Sequence, residues 1–512
     1  MRRAPTVVRA MTKYQNPVLD ADWPDPDVTW HRGEFVLVAS SFNRSPGLPL
    51  LVSRDLVDWD PAGHALSALT PVDHYRLPRH GGGIWAPSIR SHDGMLWVFY
   101  PDPDHGIFVT RARSARGPWS TPMLLIGGAG LIDPCPLWDD DGRAYLVHAW
   151  AGSRAGFKNI LTLREMAPDG SSIVGSPRTL IDGDGIGYTT LEGPKLYKRS
   201  GWYWIFAPAG GVADGWQAAF RSRSLDGPWE ARVILAQGGS DTNGPHQGAW
   251  VTTSDGADWF LHFQDRGPVG RVVHLQPMTW DEEEWPLIGE VGNPAVPVTG
   301  GRTPLDANAR NVEPASSDPF DAGELSAKWH WQANPMPEWH RVGGGRLELR
   351  IIPASVTSLR QIPNVLSQVI PGRPFTAETT VDLAGADESR AGLIVLGETY
   401  AWIGVELSGG HRLVTIGRGD AAGETSEHVG PAGDQTKLRL TVDSDLSASF
   451  EWAEVGGPWH PAGTPFPITA GRWVGAEVGL FANSTHFGSP LGTATFGPFT
   501  MDIAPRGSSS LP

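Results

Sequence analysis

The chain has 512 residues, of which 40% are hydrophobic and 19% are charged, and this composition excludes a globally disordered protein. Its 56 acidic and 41 basic residues give a net charge of −15 without any basic run, which argues against nucleic acid and anionic membrane surfaces as partners. No stretch reaches about 18 consecutive apolar residues, so the sequence predicts no membrane-spanning helix.

The amino-terminal residues and the cysteine content bear on the cellular compartment. The first five residues include two arginines, but no apolar segment follows them, so we expect no signal peptide. Cys135 is the single cysteine, and an internal disulfide is therefore excluded. We expect a cytoplasmic protein.

A repeat extends through the first three hundred residues. The 63 glycines and 45 prolines favour many short strands joined by turns over long helices. Five apolar runs each begin at a glycine in a turn, and these glycines are 48 to 61 residues apart: 33–38, 94–100, 142–147, 201–206 and 256–261. Each run is followed by further strand and turn signals, so that one repeat contains four strands. The pattern predicts a five-bladed β-propeller; the alternative is a set of ordinary β-sandwiches with accidental spacing.

The phase of the repeat predicts which residues meet. In a propeller blade the innermost strand precedes the first tight turn and lines the central channel. Counting back eight to ten residues from each glycine gives five positions: Asp25, Trp85, Asp133, Glu192 and His246. We expect these residues to converge at one end of the channel.

Three carboxylates around one axis indicate a chemical site. Carboxylates that are brought together repel each other, and their pKa values are pushed apart, so that one can hold a proton while another stays ionised. Glycosidic bond hydrolysis requires such an acid and such a base. Trp85 offers a flat face for a sugar ring, and His246 can hold an ion or a water molecule through an imidazole nitrogen.

The segments that carry these residues resemble glycoside hydrolase family 43. The similarity covers about residues 14–290, and the matching motifs occur in the family's order: 16–19, 23–28, 83–87, 131–134, 190–197 and 270–271. Three further stretches are similar to the branch that contains β-xylosidases and α-L-arabinofuranosidases: 41–49, 149–156 and 244–248. Taken alone, each Asp-Pro or Glu-Gly step would also fit an ordinary turn or a surface strand.

The resemblance implies a role for each carboxylate. Asp25 is similar to the general base that activates water, and Glu192 to the general acid that protonates the leaving oxygen. Asp133 is similar to the third carboxylate, which raises the pKa of the acid and orients it. Such a reaction proceeds with inversion, so we expect the carboxyl groups of Asp25 and Glu192 to lie about 6.5–9.5 Å apart.

The resemblance also implies binding residues. Arg271 is similar to an arginine near the sugar, although it would equally fit a structural ion pair. Phe42 and Trp85 are expected to form the walls of the terminal-sugar subsite. The alternative for Phe42 is a structural role in the hydrophobic core. Many family members hold a calcium ion and waters against a histidine of the central channel, and either His246 or Gln247 aligns with that histidine. We expect His246 to contact the metal and Gln247 to face the substrate, without an organic cofactor.

A second domain follows the repeats. We expect the propeller to span residues 14–293, a linker rich in Pro, Ala, Asn and Ser to span 294–317, and a β-sandwich of about ten to twelve strands to span 318–505. The position of the sandwich is similar to that of the concanavalin-like module after some family 43 propellers, so we predict a jelly roll. Its Trp329, Trp331 and Trp339 are expected to seal a core or an interface, with a sugar-binding platform as the alternative. One of its loops is expected to close a side of the pocket, but no motif identifies which.

The predicted function is therefore an exo-acting, inverting glycosidase. It would release terminal β-D-xylose, α-L-arabinofuranose or both from xylo- or arabino-oligosaccharides of hemicellulose. The alternatives are another sugar specificity on the same residues (a galactosidase or an arabinanase), a retaining five-bladed enzyme, and a non-catalytic sugar-binding propeller. Self-association into a homo-oligomer is left open.

Overall fold

The protein is described by a computed structural model, which covers residues 13–305, 313, 315–354, 358–485, 492–506 and 511. Five four-stranded antiparallel sheets follow each other along the first part of the chain, and in each sheet the strand order equals the chain order. In the first two blades the strands are Asp27–His31, Glu34–Val38, Gly47–Ser53 and Asp60–Leu66, then Ser88–His92, Met95–Asp102, Gly106–Ala112 and Met123–Gly127. In the other three they are Leu131–Trp138, Ala144–Trp150, Ile160–Met166 and Arg178–Asp182, then Lys195–Arg199, Trp202–Ala209, Trp216–Ser222 and Glu230–Ala236, then His246–Thr252, Asp258–Asp265, Arg271–Trp280 and Pro286–Ile288.

The five sheets close into a ring. The innermost strand of the first blade contacts that of the second blade and that of the fifth blade, so the ring is complete. The fold is the predicted five-bladed propeller, and it arises from local sequence. Phe35, Val36, Leu37 and Val38 are all fully buried, because neighbouring blades cover both faces of this strand and a continuous apolar run is then favoured over alternation. Gly33, in the turn before that run, has a φ of +94°, which a side chain would disfavour.

Helices contribute little to the architecture. Within the described residues the one α-helix is Gly152–Ala155, and the 3-10 turns are His74–Arg76, Asp184–Ile186, Gly267–Val269, Pro337–Trp339 and Leu359–Gln361. None of the described helices has the length and apolar character that crossing a membrane would require.

The second domain is a sandwich of two eight-stranded sheets. One sheet contains His330–Trp331, Leu366–Val369, Glu477–Ser484, Ser389–Leu396, Tyr400–Ser408, His411–Gly419 and Glu424–Pro431, with Ile352–Pro353 pairing with Glu477–Ser484. The other contains His340–Gly343, Arg346–Arg350, Gly492–Phe496, Phe375–Gly385, Thr436–Val442, Ser447–Glu454 and His460–Pro467, with Thr500–Ile503 pairing with Phe375–Gly385. The sequence predicted about ten to twelve strands, and the additional ones are mostly two to five residues long, too short for a clear alternation.

The sequence between the two domains is tied to the propeller. Gly300–Arg302 pairs with Lys13–Gln15 near the amino terminus, so part of the predicted 294–317 linker is held in a small sheet. The predicted domain boundaries stay predictions. Trp329, Trp331 and Trp339 are buried in the core of the sandwich, which leaves no exposed platform at these residues.

The two domains share an extensive polar interface. Backbone groups of Ser45 and Trp331 bond reciprocally at 3.0 and 2.7 Å, and the Ala476 N–H donates to the Pro268 carbonyl at 2.7 Å. The interface also contains a buried ion pair, in which Arg44 Nε of the propeller lies 2.5 Å from Glu477 Oε1 of the sandwich. Such buried backbone and ionic contacts fix the sandwich against the first and fifth blades.

Candidate active site

The residues predicted to converge do so at one mouth of the propeller channel. Asp25, Trp85 and Glu192 lie two or three residues before the first strands of their blades, Asp133 lies within its strand at a bulge, and His246 begins its strand. All five line one cavity of about 110 Å³. The other predicted residues, Phe42, Gln247 and Arg271, line it as well, together with Ala86, Ile132, Val212 and Trp473.

The backbone at the cavity is unusual. Asp25, Phe42, Asp133 and Gln247 have φ values of +53°, +50°, +56° and +32°, a region that side chains other than glycine rarely occupy. Each such residue costs of the order of 1 kcal/mol and persists where the surrounding structure holds it. The turns into the inner strands therefore aim these side chains into the cavity at the expense of local backbone strain.

Asp25 is held on both carboxylate oxygens. Ser40 Oγ donates to Asp25 Oδ2 at 2.6 Å, and Arg271 Nη1 lies 2.8 Å from Asp25 Oδ1. A guanidinium and a hydroxyl donor together fix the orientation of the carboxylate. This geometry suits Asp25 to accept a proton.

Glu192 and Asp133 have the opposite surroundings. Burial, followed by the negative charges of Asp133 and Asp25, raises the pKa of Glu192 to about 8. Burial also raises the pKa of Asp133 to about 7, although the Gly193 N–H donates to its Oδ2 at 2.7 Å and opposes the shift. The Glu192 side chain is 28% exposed, but it faces the cavity, whose walls keep it poorly hydrated. At neutral pH this pair retains a proton.

Arg271 supplies positive charge to the site from the fifth blade. Its guanidinium lies 5.9 Å from the Phe42 ring and 4.9 Å from the Phe263 ring, and its backbone N–H donates to Asp22 at 2.9 Å. Its Nε, and Nε2 of Gln247, are buried without a hydrogen-bond partner among the described residues. Unpartnered donors at a cavity wall are suited to hydroxyl groups of a bound ligand.

Three aromatic rings form the apolar side of the cavity. Phe42 lies 6.1 Å from Trp85, and Trp85 lies 6.4 Å from Trp473 in an edge-on arrangement. Trp473 belongs to the loop between His460–Pro467 and Glu477–Ser484, so the sandwich contributes one wall of the cavity. Sequence reasoning expected such a loop without locating it. The signal in the sequence is Gly471-Arg472-Trp473, a large aromatic residue in a glycine-containing loop, and that alone is unspecific.

His246 lies beside the acid. Its Nε2 is 3.5 Å from Glu192 Oε1, and both of its ring nitrogens are buried without a hydrogen-bond partner among the described residues. Burial lowers its pKa to about 3, so the imidazole is neutral and able to bind a metal ion. The described residues contain no group of three or more His, Cys, Asp or Glu that would hold a metal, so a metal ion here would be bound largely by water.

Two residues of the site were missed by the sequence analysis. Ser40 bonds the predicted base, and Trp473 closes the cavity. Ser40 begins the loop before the family-like stretch 41–49, and nothing in its spacing distinguishes it from Ser41.

Two family models match this chain. The profile described as Glycosyl hydrolases family 43 matches residues 14–286, and that described as Beta xylosidase C-terminal Concanavalin A-like domain matches residues 317–502. A protein of Xylanibacter ruminicola named "Putative beta-xylosidase" is 32% identical over 91% of this chain and 85% of its own length. A Formosa agariphila protein named "Beta-xylosidase" is 28% identical over 92% of this chain and 87% of its own length.

Structural comparison shows the same two-domain fold. A crystal structure titled as a xylan beta-1,4-xylosidase from Bacillus halodurans superposes with a TM-score of 0.86 over 96% of this chain and 100% of that one, at 23% identity. At this identity the likeness concerns the fold. The family assignment rests on the matched profile and on the relative that aligns along almost the whole chain, and this protein is a glycoside hydrolase that belongs to family 43.

Proposed function

We propose that the protein is an exo-acting, inverting glycosidase that removes terminal β-D-xylose, α-L-arabinofuranose or both from hemicellulose oligosaccharides. The observation that carries the proposal is the unequal environment of three carboxylates in one cavity. Asp25 is held by Arg271 and Ser40, whereas the Asp133–Glu192 pair retains a proton. The names of the relatives, β-xylosidase among them, supply the sugar class.

In this mechanism Glu192 is the general acid. It gives its proton to the glycosidic oxygen as the bond to the anomeric carbon breaks, and the leaving sugar departs as a neutral alcohol. Asp133 sustains this role because its negative charge, held next to Glu192 by the Gly193 N–H, disfavours ionisation of the acid.

Asp25 is the general base. A water molecule attacks the anomeric carbon from the face opposite the leaving group and gives its proton to Asp25. Ser40 and Arg271 fix the two carboxylate oxygens, so that the orientation of the base is set before the substrate binds. The predicted separation of about 6.5–9.5 Å between the two carboxyl groups leaves room for this water.

The channel below the cavity supports an exo mode of attack. One layer further along the inner strands, Arg90 Nη1 lies 2.7 Å and Lys195 Nζ lies 3.5 Å from Asp27 Oδ2. These three side chains are largely buried, and Lys195 also donates to the Pro87 carbonyl at 2.8 Å. A channel filled in this way closes the floor of the cavity, and Trp473 of the sandwich closes one side, as a pocket that accepts a chain end requires.

The test is a panel of p-nitrophenyl glycosides with anomer-resolved NMR of the first product. We expect cleavage of the β-D-xylopyranoside, the α-L-arabinofuranoside or both, and release of α-D-xylose from the β-xyloside. Release of β-D-xylose would show a retaining mechanism, and preference for a galactoside would overturn the sugar assignment. Binding of xylobiose without any hydrolysis would make the protein a sugar-binding propeller.

We also infer that His246 contacts a hydrated calcium ion, as its two unpartnered ring nitrogens suggest. His246 would hold the ion through one nitrogen with waters completing the shell, and the ion would supply positive charge beside Glu192. In chelator-treated protein, added Ca²⁺ should raise the melting temperature of wild type, and the effect should be absent in His246→Ala. If Gln247→Ala instead removes the response, the metal contact is at Gln247.

A further inference from the structure

The outer edge of the pocket carries positive charge, in contrast with the net charge of −15 of the whole chain. The guanidinium of Arg154 lies 5.5 Å from the Trp85 ring centroid, and that of Arg472 lies 4.7 Å from the Trp473 ring centroid. Thus the two tryptophans that wall the pocket each bear an arginine. We call Arg154, Arg472 and Lys158 the cationic rim.

The rim belongs to the leaving-group side of the site. Lys158 Nζ donates to Thr190 Oγ1 at 3.3 Å, two residues before the acid Glu192, and its charge opposes the raised pKa of Glu192. Arg472 packs on Gly81, because a Cβ built at Gly81 would lie 2.6 Å from Arg472 Cγ. The Gly81 carbonyl accepts the Trp85 ring N–H at 3.1 Å, so Arg472 sits where the propeller and sandwich walls meet.

Two of the three rim cations have no ion-pair partner among the described residues. Arg154 pairs with Asp104 at 3.1 Å, but neither Arg472 nor Lys158 has a carboxylate within ion-pair distance among the residues that the structure describes. Exposed carboxylates of the adjoining loops have other partners: Asp184 accepts from Asn159 Nδ2 at 2.6 Å, and Glu398 lies 3.2 Å from Arg360 Nη2. Exposed cations in an acidic protein that gather at the mouth of the pocket favour approach of anionic ligands.

We propose that the cationic rim recognises a carboxylate on the leaving-group part of the substrate. The preferred substrates are then oligosaccharides with a terminal pentose inside the pocket and a uronic acid on the adjoining sugar, where an arginine can bond a carboxylate through two N–H groups. This inference deepens the proposed function and rests on it for the identity of the terminal sugar.

The experiment compares two probes: xylobiose, and xylobiose that carries glucuronic acid on its reducing-end xylose. Dissociation constants are measured by calorimetry in the Glu192→Gln background, and kcat/KM is measured with wild type. The acidic probe should bind more tightly, and its advantage should fall between about 20 mM and about 500 mM NaCl, because salt screens exposed charges. Arg472→Gln and Lys158→Gln should each lower the ratio of the two affinities by about two- to fivefold.

Arg116→Gln is the matched control. Arg116 is an exposed arginine with one weak ion pair, to Glu34 at 3.5 Å, far from the pocket, and its removal changes the net charge equally. It should leave the ratio unchanged. Equal binding of the two probes, or equal weakening of both by Arg472→Gln, would overturn the inference and assign the arginines to packing on the tryptophans. Preferential binding of the acidic probe without hydrolysis of either would instead refute the proposed function and leave the rim assignment standing.

Discussion

Two groups of buried carboxylates lie near each other in this molecule, and their surroundings are opposite. In the pocket, Glu192 and Asp133 have raised pKa values because burial is followed by mutual repulsion. At the domain interface, burial would likewise raise the pKa of Glu477, but the charges of His330 and Arg44 hold it well below its ordinary value. Burial is shared by the two groups, so the supply of counter-charge decides which carboxylate holds a proton at neutral pH.

The interface carboxylate Glu477 has partners on both of its oxygens. Arg44 binds Glu477 through Nε at 2.5 Å and Asp22 through Nη1 at 2.8 Å. Glu477 also lies 3.2 Å from His330 Nε2 and accepts from Ser367 Oγ at 2.6 Å. Asp22 accepts the backbone N–H of Arg271, the residue whose side chain holds Asp25, so this structural cluster reaches the proposed active site. Through Glu477, Arg44 and Asp22, the sandwich is connected to Arg271, which holds the proposed base Asp25.

The largest expected effect is a loss of kcat when the proposed acid, Glu192, is replaced. Glu192→Gln should lower kcat for xylobiose by about three orders of magnitude, because the leaving oxygen would lose its proton donor. KM should change little, and p-nitrophenyl glycosides, whose leaving group needs less protonation, should lose less activity. Steady-state kinetics with both substrates measures this, and full retention of activity on xylobiose would remove Glu192 from the role of acid.

Substitution of the interface carboxylate should act on stability. Glu477→Gln should lower the free energy of unfolding by about 3 kcal/mol, because it leaves the buried Arg44 with Asp22 alone. Glu192→Gln should have no such cost, since Glu192 has little counter-charge to lose. Urea denaturation of the two variants makes the comparison, and equal destabilisation would contradict the distinction between the groups.

A smaller effect is expected where the sandwich meets the pocket. Trp473→Ala should lower kcat/KM by about tenfold through KM, which corresponds to about 1.4 kcal/mol of lost contact with the sugar. Trp30→Ala is a suitable control, because Trp30 is similarly exposed, at 39% against 42% for Trp473, and lies on the first blade away from the cavity. If both variants keep wild-type KM, Trp473 does not form a wall of the subsite.

The smallest and most selective effect concerns pH. The raised pKa of Glu192 means that the folded state binds more protons than the unfolded state between about pH 4.3 and pH 8, so this group lowers stability progressively as pH rises through that window. The lowered pKa of Glu477 has the opposite sign: its contribution is present above about pH 4.3 and is lost as pH falls below it.

Melting temperatures measured from pH 3.5 to pH 9 test both signs. Glu192→Gln should gain on wild type toward alkaline pH, whereas Glu477→Gln should approach wild type toward acid pH. Parallel curves for all three proteins would show that neither carboxylate is perturbed as described. The same pKa of about 8 predicts that kcat/KM of the wild type falls above that pH as the acid loses its proton.

The sequence anticipated the propeller and its pocket because both depend on local signals. Each blade is a run of hairpins between neighbouring segments, and a fixed phase within each hairpin places one residue at the channel mouth. Hence Asp25, Trp85, Asp133, Glu192 and His246 could be placed together without coordinates. The family resemblance added Phe42, Gln247 and Arg271, which line the same cavity.

Contacts between the domains could not be predicted in the same way. Trp473 reaches the cavity, and Glu477 reaches Arg44 across 433 positions of sequence, only because the sandwich docks on the first and fifth blades. The strand count of the sandwich was also underestimated, since strands of two to five residues carry too little alternation to be recognised.

The amino-acid sequence by itself thus determined the repeat, the blade architecture and the set of inner-strand residues that face one channel, since these follow from periodicity over a few dozen residues. Only the tertiary structure decided which carboxylate is paired with a cation and which keeps a proton. That outcome depends on the distances from each carboxylate to Arg44, Arg271 and the backbone N–H groups, and on the water that the docked domain excludes, and neither quantity is encoded in any single segment of the chain.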